Sequence, residues 1–270
     1  CNFRHVCPKN AQYATSIELN NFNKLSVLRS NMFIFYLYLL FILSSLLVWQ
    51  FVGYPVIMSI IALMSKPLKK DYHFQPFVSI LIPTYNEESV IKKRILNCLS
   101  LNYPIDNFEI IIVDSASTDK TVKVIQEFIN NHKDLYPTIR LIKEKARLGK
   151  ASAINLGKKY AKSNYILVTD ANAIFDKNVL KEMMPHFLNE YVGGVGGRYV
   201  VANPEEPLAA SATFYWDLEY LMRLGESTLS SACLFHGEIN IWRKNIVDAD
   251  TKMLSEDLDM CISIIKKGYS

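Results

Sequence analysis

Three polar clusters follow predicted β-strands, at positions where side chains could bind a charged ligand. Residues 84–87 follow one apolar run, Asp114 ends a second, and Asp170 with Asn172 follows a third. In parallel sheets flanked by helices, ligands bind beyond the carboxyl ends of the strands. Two aspartates at one edge, without metal-ligand histidines, favour a nucleotide diphosphate held through Mg²⁺ or Mn²⁺, which prefer oxygen ligands. For either aspartate alone, a helix cap is the simpler interpretation.

The elements that must position these residues alternate along the chain from residue 77. Apolar runs predict strands at 77–83, 108–114, 138–143 and 164–169. Helical spacing of apolar residues predicts helices at 88–100, 118–130, 150–162, 207–230 and 258–267. Strands that alternate with helices of this size predict an α/β fold with a mainly parallel sheet and helices on both faces. Because the sequence has neither GxGxxG nor GxxxxGK[ST], a dinucleotide-binding fold and a P-loop are disfavoured.

The overall composition narrows the class of protein. Half of the 270 residues are hydrophobic, 21% are charged, and the formal net charge is +4. This composition excludes disorder for most of the chain. The absence of a dense basic run argues against nucleic acid as a partner. The five cysteines include no CxxC pair, which favours reduced thiols in a cytosol-facing protein.

A long apolar stretch near the start predicts a membrane helix. No charged residue occurs between Arg29 and Lys66, and about 20 apolar residues suffice to span a bilayer. Gly53 and Pro55 predict a kink within the span. Lys66, Lys69 and Lys70 after the span favour the cytoplasm for that end, but basic residues also precede the span, so charge alone favours this orientation only weakly. We therefore expect an N-terminal segment at 1–31, a transmembrane helix at 32–64, a linker at 65–76 and one α/β domain at 77–270.

Six segments, taken together, resemble the ordered motifs of family 2 glycosyltransferases. They are VSILIPTYNEE (78–88), VDSASTDKT (113–121), ARLGKASAINLG (146–157), VTDANAIFD (168–176), GESTLSSACLFHGEINIWRKN (225–245) and LSEDLDM (254–260). With the apolar helix before them, they are similar to the membrane-anchored branch of cellulose-, chitin- and hyaluronan-synthase-like enzymes. The resemblance implies a GT-A fold, a cytosolic nucleotide-sugar donor (a UDP-sugar first, a GDP-sugar second), a polysaccharide or lipid-linked acceptor and inversion at the anomeric carbon. It therefore implies a catalytic domain on the cytoplasmic side of the cell membrane.

The resemblance also implies roles for residues at matching positions. The expected nucleotide-sugar contacts are Pro83, Thr84, Asn86, Glu87, Asp114, Ser115, Arg147, Lys150 and Asp170. Asp170 and Asn172 match the D-x-D motif that binds Mg²⁺ or Mn²⁺. His236, Gly237 and Glu238 match the loop that floors the sugar or acceptor site. Asp257, with Glu256 beside it, matches the general base; an acidic first turn that stabilises the following helix is the simpler interpretation of this pair.

The implied chemistry calls for these residue types. A divalent cation and nearby Lys or Arg neutralise the charge on the leaving diphosphate, and a carboxylate takes the proton of the acceptor hydroxyl. Trp216 is a further candidate for an acceptor contact, because aromatic side chains of the helix predicted at 207–230 could stack on a sugar. Ordinary packing or contact with a membrane surface are the alternatives for this stripe.

Two departures from the family pattern bear on activity. Asn172 stands where many members have a second aspartate, so we expect a weaker metal site. The chain also stops before the Q-x-x-R-W motif that usually follows, so we expect a fragment that lacks the C-terminal part. A non-catalytic nucleotide-sugar-binding or assembly subunit is therefore the main alternative. A nucleotidyltransferase is disfavoured, because residues 83–86 form no glycine-rich basic loop.

Overall fold

The structure is a computed structural model that describes residues 9–66, 69–132, 139–200, 209–232, 238–253 and 255–270. The chain divides into two compact units, Cys1–Ile57 and Met58–Ser270. Side chains of the first unit are described for Lys24 and from Leu28 onward. The second unit contains the sheet and all the site residues discussed below.

The N-terminal part of the chain is helical. Helix α1 spans Lys9–Val48 and α2 spans Tyr54–Met64, joined by a π-helical turn at Trp49–Gly53. This turn lies where the kink was predicted, and the Tyr54 amide donates to the Trp49 carbonyl one residue further back than in an α-helix. Among the described residues, Leu28–Met64 is the one helix long and apolar enough to cross a membrane, with a mean hydropathy of 2.3.

In the part of the chain that the structure describes, six strands form one mixed sheet in the order β3-β2-β1-β4-β6-β5. The strands are β1 Val78–Thr84, β2 Phe108–Asp114, β3 Ile139–Lys143, β4 Tyr165–Val168, β5 Gly194–Gly196 and β6 Asn240–Arg243. The first four are parallel, whereas β6 runs antiparallel to both β4 and β5. The predicted mainly parallel α/β sheet is therefore confirmed, and the antiparallel edge is an addition that the sequence patterns did not reveal.

Helices cover both faces of this sheet. They are α3 Ile91–Leu99, α4 Thr121–Asn131, α5 Lys150–Tyr160, α6 Val179–Met183, α7 Ala209–Leu229 and α8 Glu256–Lys266. Because side chains alternate along a strand, Ile80 and Ile82 belong to one hydrophobic core and Leu81 to the other. On the second face α5 packs closely, since a Cβ at Gly157 would lie 3.0 Å from the Val113 side chain. Burial on both faces explains why the strands read as unbroken apolar runs.

Two helices begin three residues later than predicted, because the polar residues before them form loops instead. Helix α3 begins at Ile91 rather than 88, and α4 begins at Thr121 rather than 118. The backbone turns sharply at Asn86 and Ala116, whose φ angles are +56° and +58°. The chain thus uses its first polar clusters as ordered loops at the carboxyl edge of the sheet.

Candidate functional site

The three polar clusters meet at one edge of the sheet, as expected for parallel strands. Thr84 and Asp114 are register partners at the carboxyl ends of β1 and β2. The Thr169 amide donates to the Leu81 carbonyl at 3.1 Å, so the chain beyond β4 continues beside β1. Asp170 is therefore brought to the same edge as the other two clusters.

The loops after β1 and β2 are tied to each other through Asn86. Its side-chain oxygen accepts from the Thr118 backbone amide at 2.8 Å, and its backbone amide donates to Ser117 Oγ at 2.9 Å. The Glu87 amide donates to Thr121 Oγ1 at 2.7 Å. In the structure the Asn86 side chain bonds the loop after β2, and its predicted contact with the nucleotide stays a prediction.

Asp114 presents an oxygen without a protein partner to this edge. The residue is 2% exposed, and its Oδ2 accepts from the Ser117 amide at 3.2 Å. Its Oδ1 is buried and has no hydrogen-bond partner among the described residues. Since a buried unpaired acceptor is costly, this oxygen is suited to accept from a ligand N–H. Pro83 and Thr84 lie directly beside it, at the end of β1.

Ser115, the next predicted contact, is held by a carboxylate that the sequence analysis did not single out. Glu144 follows β3 and accepts from Ser115 Oγ at 2.6 Å and from Ser152 Oγ at 2.7 Å. Its amide also donates to the Asp114 carbonyl at 2.8 Å. Glu144 therefore joins the loop after β2 to the first turn of α5, which begins at Lys150.

Lys150 is the centre of an acidic cluster, which we call the Lys150 cluster and define as Lys150, Asp170, Glu256 and Asp257. Its Nζ lies 2.9 Å from Asp170 Oδ1, 3.0 Å from Glu256 Oε1 and 4.0 Å from Asp257 Oδ2. Burial lowers the pKa of Lys150, but the three carboxylates outweigh burial, so the pKa is raised well above its usual value. Lys150 is therefore charged at every physiological pH, and it joins the loop after β4 to the start of α8.

Asp257 has the environment expected of a general base. Its side chain is 16% exposed, and its Oδ1 accepts from Asn240 Nδ2 at 2.9 Å. Burial raises the pKa of Asp257, and the opposing effects of Lys150 and Asn240 do not cancel that rise. A carboxylate with a raised pKa takes a proton more readily than an ordinary one.

Asn240 is a site residue that the sequence analysis missed. It begins β6, it is 2% exposed, and its register partner is Val168 at the end of β4. The antiparallel direction of β6 brings its first residue to the carboxyl edge of the parallel strands. A single Asn within the otherwise apolar run 239–242 was the available signal, but its value depends on a strand direction that the sequence patterns did not indicate.

Burial, together with the charges of the Lys150 cluster, also shifts the pKa values of two more predicted residues, Glu238 and Glu87. Burial raises the pKa of Glu238, and Asp170 and Asp257 raise it further while Lys150 lowers it. Burial likewise raises the pKa of Glu87, with a further rise from Asp170. His236 and Gly237, which precede Glu238, lie outside the described residues.

Arg147 and Trp216 occupy the surroundings of the site. The Arg147 guanidinium lies 3.9 Å from the centre of the Tyr85 ring, which connects the loop before α5 with the loop after β1. Trp216 packs against Tyr199 with ring centres 4.6 Å apart and lines a cavity of about 390 Å³. No member of the Lys150 cluster lines that cavity, although its wall includes Cys261 of α8. Arg147 therefore contacts the loop after β1, whereas Trp216 lines a cavity that is separate from the Lys150 cluster.

The residues after β4 have the chemistry of a divalent-cation site. Asp170 offers a carboxylate whose side chain is 33% exposed, and Asn172 offers an exposed amide oxygen. No group of three or more His, Cys, Asp or Glu side chains among the described residues is arranged to hold an ion. Mg²⁺ in phosphate-transferring sites is commonly held by one or two protein oxygens together with substrate phosphates. The oxygen donors present fit a cation shared with a diphosphate.

Comparison with solved structures identifies the fold. A mannosyltransferase from Pyrobaculum calidifontis, solved in complex with GDP-Man and Mn²⁺, matches with a TM-score of 0.69 and 27% sequence identity. The match covers 83% of this chain and 63% of that chain. The expected GT-A type of α/β fold is confirmed by this likeness.

Comparison of sequences identifies the family. The poly-beta-1,6-N-acetyl-D-glucosamine synthase of Staphylococcus epidermidis is 27% identical over 197 residues, covering 71% of this chain and 46% of that protein. The beta-monoglucosyldiacylglycerol synthase of Nostoc sp. is 35% identical over 133 residues, covering 48% of this chain and 28% of that protein. The chain therefore matches less than half the length of these relatives. Residues 79–267 match the profile described as Glycosyl transferase family 2, and the chain belongs to that family.

Proposed function

We propose that this chain transfers a sugar from a nucleotide-diphosphate sugar to a polysaccharide or glycolipid acceptor, with Asp257 as the general base. The observation that carries the proposal is the Lys150 cluster, in which one ammonium lies 2.9 Å from Asp170 and 4.0 Å from Asp257. The proposed cation ligand and the proposed base therefore both lie within 4.0 Å of one positive charge. Glycan and glycolipid synthases among the relatives support the choice of acceptor class.

The donor would lie across the loops at the carboxyl edge of the sheet. The unpaired Oδ1 of Asp114 would accept from an N–H of the base, which uracil and guanine both offer. A UDP-sugar is the first choice, because Asp114 resembles the family's base-binding carboxylate, whose usual partner is uracil. The nucleoside would be surrounded by the last residues of β1 and by the loops that follow β1 and β2, which include Pro83, Thr84, Glu87 and Ser115. Arg147 and Lys150 would face the diphosphate, since both are cations on the segment that leads into α5. A GDP-sugar is the second choice, supported by the mannosyltransferase neighbour solved with GDP-Man.

Asp170 and Asn172 would hold Mg²⁺ or Mn²⁺ together with the diphosphate, and the neighbour solved with Mn²⁺ supports this assignment. When bound, the cation supplies Lewis-acid stabilisation of the leaving diphosphate. The ammonium of Lys150 is close enough to Asp170 to add a second positive charge at the same place. The separation of charge that bond breaking requires is thus stabilised mainly by groups that are already in position.

Asp257 would take the proton of the acceptor hydroxyl while the hydroxyl oxygen of the acceptor forms a bond to the anomeric carbon. The bond from that carbon to the diphosphate oxygen breaks on the opposite face, and its electron pair leaves with the nucleoside diphosphate. A single displacement with one base inverts the configuration. Glu256 would keep Lys150 oriented through its 3.0 Å contact, and Glu238 would line the sugar side of the site.

The helix Leu28–Met64 would anchor the domain in the cell membrane with its catalytic part in the cytoplasm. Its length and apolar composition support an anchor. Lys66 and Lys69, which follow the helix, favour the cytoplasm for that end. The cytosolic location of nucleotide sugars favours the same orientation.

The test is donor turnover by the full chain purified in detergent. The chain is offered a panel of UDP- and GDP-sugars with Mn²⁺ or Mg²⁺, and the released nucleoside diphosphate is measured with and without glycan or glycolipid acceptors. We expect nucleotide release from one donor, and we expect Asp257→Asn to abolish it. The control is Asp259→Asn, the same substitution two residues further along α8, which should retain the activity. Full activity of Asp257→Asn would overturn the assignment of the base.

A non-catalytic nucleotide-sugar-binding subunit is the second candidate. The observation that favours it is Asn172, whose neutral amide contributes no charge to the cation site. It predicts that UDP or GDP binds in the presence of Mn²⁺ while no donor in the panel releases its nucleotide. Absence of nucleotide binding would contradict both candidates.

A further inference from the structure

Arg94 is a fully buried arginine behind the loop that carries Asp170 and Asn172. It lies on α3 and is 0% exposed. Its Nη2 donates to Thr169 Oγ1 at 2.8 Å, and its Nη1 donates to the Ala173 carbonyl at 3.1 Å. These two hydrogen bonds fix the chain immediately before Asp170 and immediately after Asn172.

Asn97, one helical turn further along α3, bonds both Arg94 and the backbone of Phe175. Arg94 Nη1 donates to Asn97 Oδ1 at 2.7 Å. The same Oδ1 accepts from the Phe175 amide at 2.8 Å, and Asn97 Nδ2 donates to the Phe175 carbonyl at 3.0 Å. The Arg94 guanidinium also lies 3.7 Å from the centre of the Phe175 ring. Two side chains of one helix therefore determine the path of residues 169–175.

The partners of Arg94 are unusual for a buried cation. They are a hydroxyl, a carbonyl, an amide oxygen and a ring face, and no carboxylate among the described residues lies within ion-pair distance of it. Burial lowers the pKa of Arg94, while Cys98 and Asp170 act in the opposite direction. An apolar side chain of similar volume would commonly fill such a place at less cost. This position uses the donors on the two Nη atoms rather than the charge alone, and the buried Nε has no hydrogen-bond partner among the described residues.

We infer that Arg94, together with Asn97, is a positioning residue for the divalent cation, because it sets the loop from which Asp170 and Asn172 present their oxygens. The inference rests on the proposed function, which assigns the cation to those two residues. Arg94 acts through the loop and does not itself face the ligand. A planar guanidinium bonds Thr169 and Ala173 through two nitrogens in a fixed fork, whereas an ammonium donates from a single nitrogen.

The experiment measures Mn²⁺ binding by the full chain in detergent, with UDP present, from the electron paramagnetic resonance signal of free Mn²⁺. Partners that orient metal ligands typically change metal affinity by about 10–100-fold. We expect Arg94→Lys to weaken Mn²⁺ binding by about that factor, and Asn97→Ala to weaken it in the same direction. In donor turnover, the Mn²⁺ concentration for half-maximal rate should rise, while the rate at saturating Mn²⁺ recovers most of its wild-type value.

A matched control separates this role from a loss of stability. Arg140 on β3 bonds Glu109 at 2.5 Å and the Tyr160 carbonyl at 2.6 Å, near the amino ends of the strands. Arg140→Lys should lower the thermal midpoint without changing Mn²⁺ affinity. If Arg140→Lys and Arg94→Lys weaken Mn²⁺ binding equally, the inference is overturned.

The remaining outcomes distinguish the inference from the function on which it rests. If the wild-type chain binds Mn²⁺ with UDP and both Arg94→Lys and Asn97→Ala bind it equally well, the inference alone fails. If the wild-type chain binds no Mn²⁺ in the presence of either UDP or GDP, the proposed cation site fails and the inference with it. If Arg94→Lys shows no cooperative unfolding transition, Asn97→Ala decides between these results.

Discussion

Asn240 Nδ2 donates to Asp257 Oδ1 at 2.9 Å, which links the first residue of β6 to the first turn of α8. The amide is 2% exposed, and its Oδ1 has no partner among the described residues. This hydrogen bond favours the charged form of Asp257, whereas burial disfavours it. One buried amide thus both orients the proposed base and limits the rise of its pKa.

Replacing Asn240 should impair the base without removing it. In Asn240→Leu the donor to Asp257 is lost, so we expect the rate of donor turnover to fall by about 10²-fold, as for a misplaced catalytic group. The pKa of Asp257 should also rise further, because a contact that favours its charged form is gone. The acidic limb of the pH–rate profile should therefore move to higher pH. The control is Asn155→Leu, which removes two hydrogen bonds to Ala249 and leaves Asp257 untouched; an equal loss in both variants would contradict the prediction.

Replacing Lys150 should affect both sides of the site. Lys150→Met removes the positive charge shared by Asp170, Glu256 and Asp257. We expect turnover to fall by about 10²-fold or more, since the leaving diphosphate loses a stabilising charge. Because Lys150 lowers the pKa of Asp257, its loss should again move the acidic limb upward. Lys145→Met, at an exposed position of the same segment, should change neither quantity, and no difference between the two variants would argue against the cluster.

The proposed base should lower stability at neutral pH. Because burial raises the pKa of Asp257 above its ordinary value of 3.8, folding disfavours the carboxylate, and stability falls as the pH rises from that value through the raised pKa. We therefore expect Asp257→Asn to unfold at a higher temperature at pH 7, with a gain of about 1 kcal/mol. The gain should shrink as the pH falls toward 3.8. Thermal scans across this range test it, with Asp106→Asn at an exposed position as control; a gain independent of pH would reject the stated cause.

The cation site should respond to charge at position 172. Asn172→Asp adds a second carboxylate beside Asp170, so we expect Mn²⁺ to bind about tenfold more tightly in the presence of UDP, because affinity for hard cations rises with ligand charge. Titration calorimetry or the signal of free Mn²⁺ measures the change. Asn131→Asp, an exposed position at the end of α4, adds the same charge elsewhere and should have no effect. An unchanged affinity in Asn172→Asp would place the cation away from this loop.

One glycine of α7 should tolerate no side chain. A Cβ at Gly225 would lie 2.2 Å from the backbone oxygen of Met58, at the start of the second compact unit. Helix propensity alone predicts that Gly→Ala stabilises a helix by about 1 kcal/mol. We expect the opposite sign, a loss of about 1–3 kcal/mol from overpacking, because backbone atoms cannot move aside as a flexible side chain can. Thermal unfolding compared with Ser227→Ala, an exposed position on the same helix, checks the sign.

The sequence alone determined the alternation of strands and helices and the chemistry at the ends of the strands. Strands buried on both faces must be apolar throughout, so 108–114 was predicted with the bounds that the structure shows. Polar residues directly after such runs must come to the carboxyl edge, so Asp114 and Asp170 were found together. The starts of α3 and α4 were less predictable, because a polar residue such as Asn86 can begin a helix or bond a neighbouring loop.

Only the tertiary structure decided which polar groups meet. Asn240 reaches Asp257 because β6 runs antiparallel to β4, and strands of three or four residues carry too little pattern to reveal their direction. Arg94 reads as an ordinary polar position of an amphipathic helix until its contacts with the loop after β4 are seen. Lys150 finds its carboxylates on elements 20 and more than 100 residues away in the chain. Local periodicity encodes which side of an element is buried, whereas the pairing of distant polar groups depends on strand order and packing.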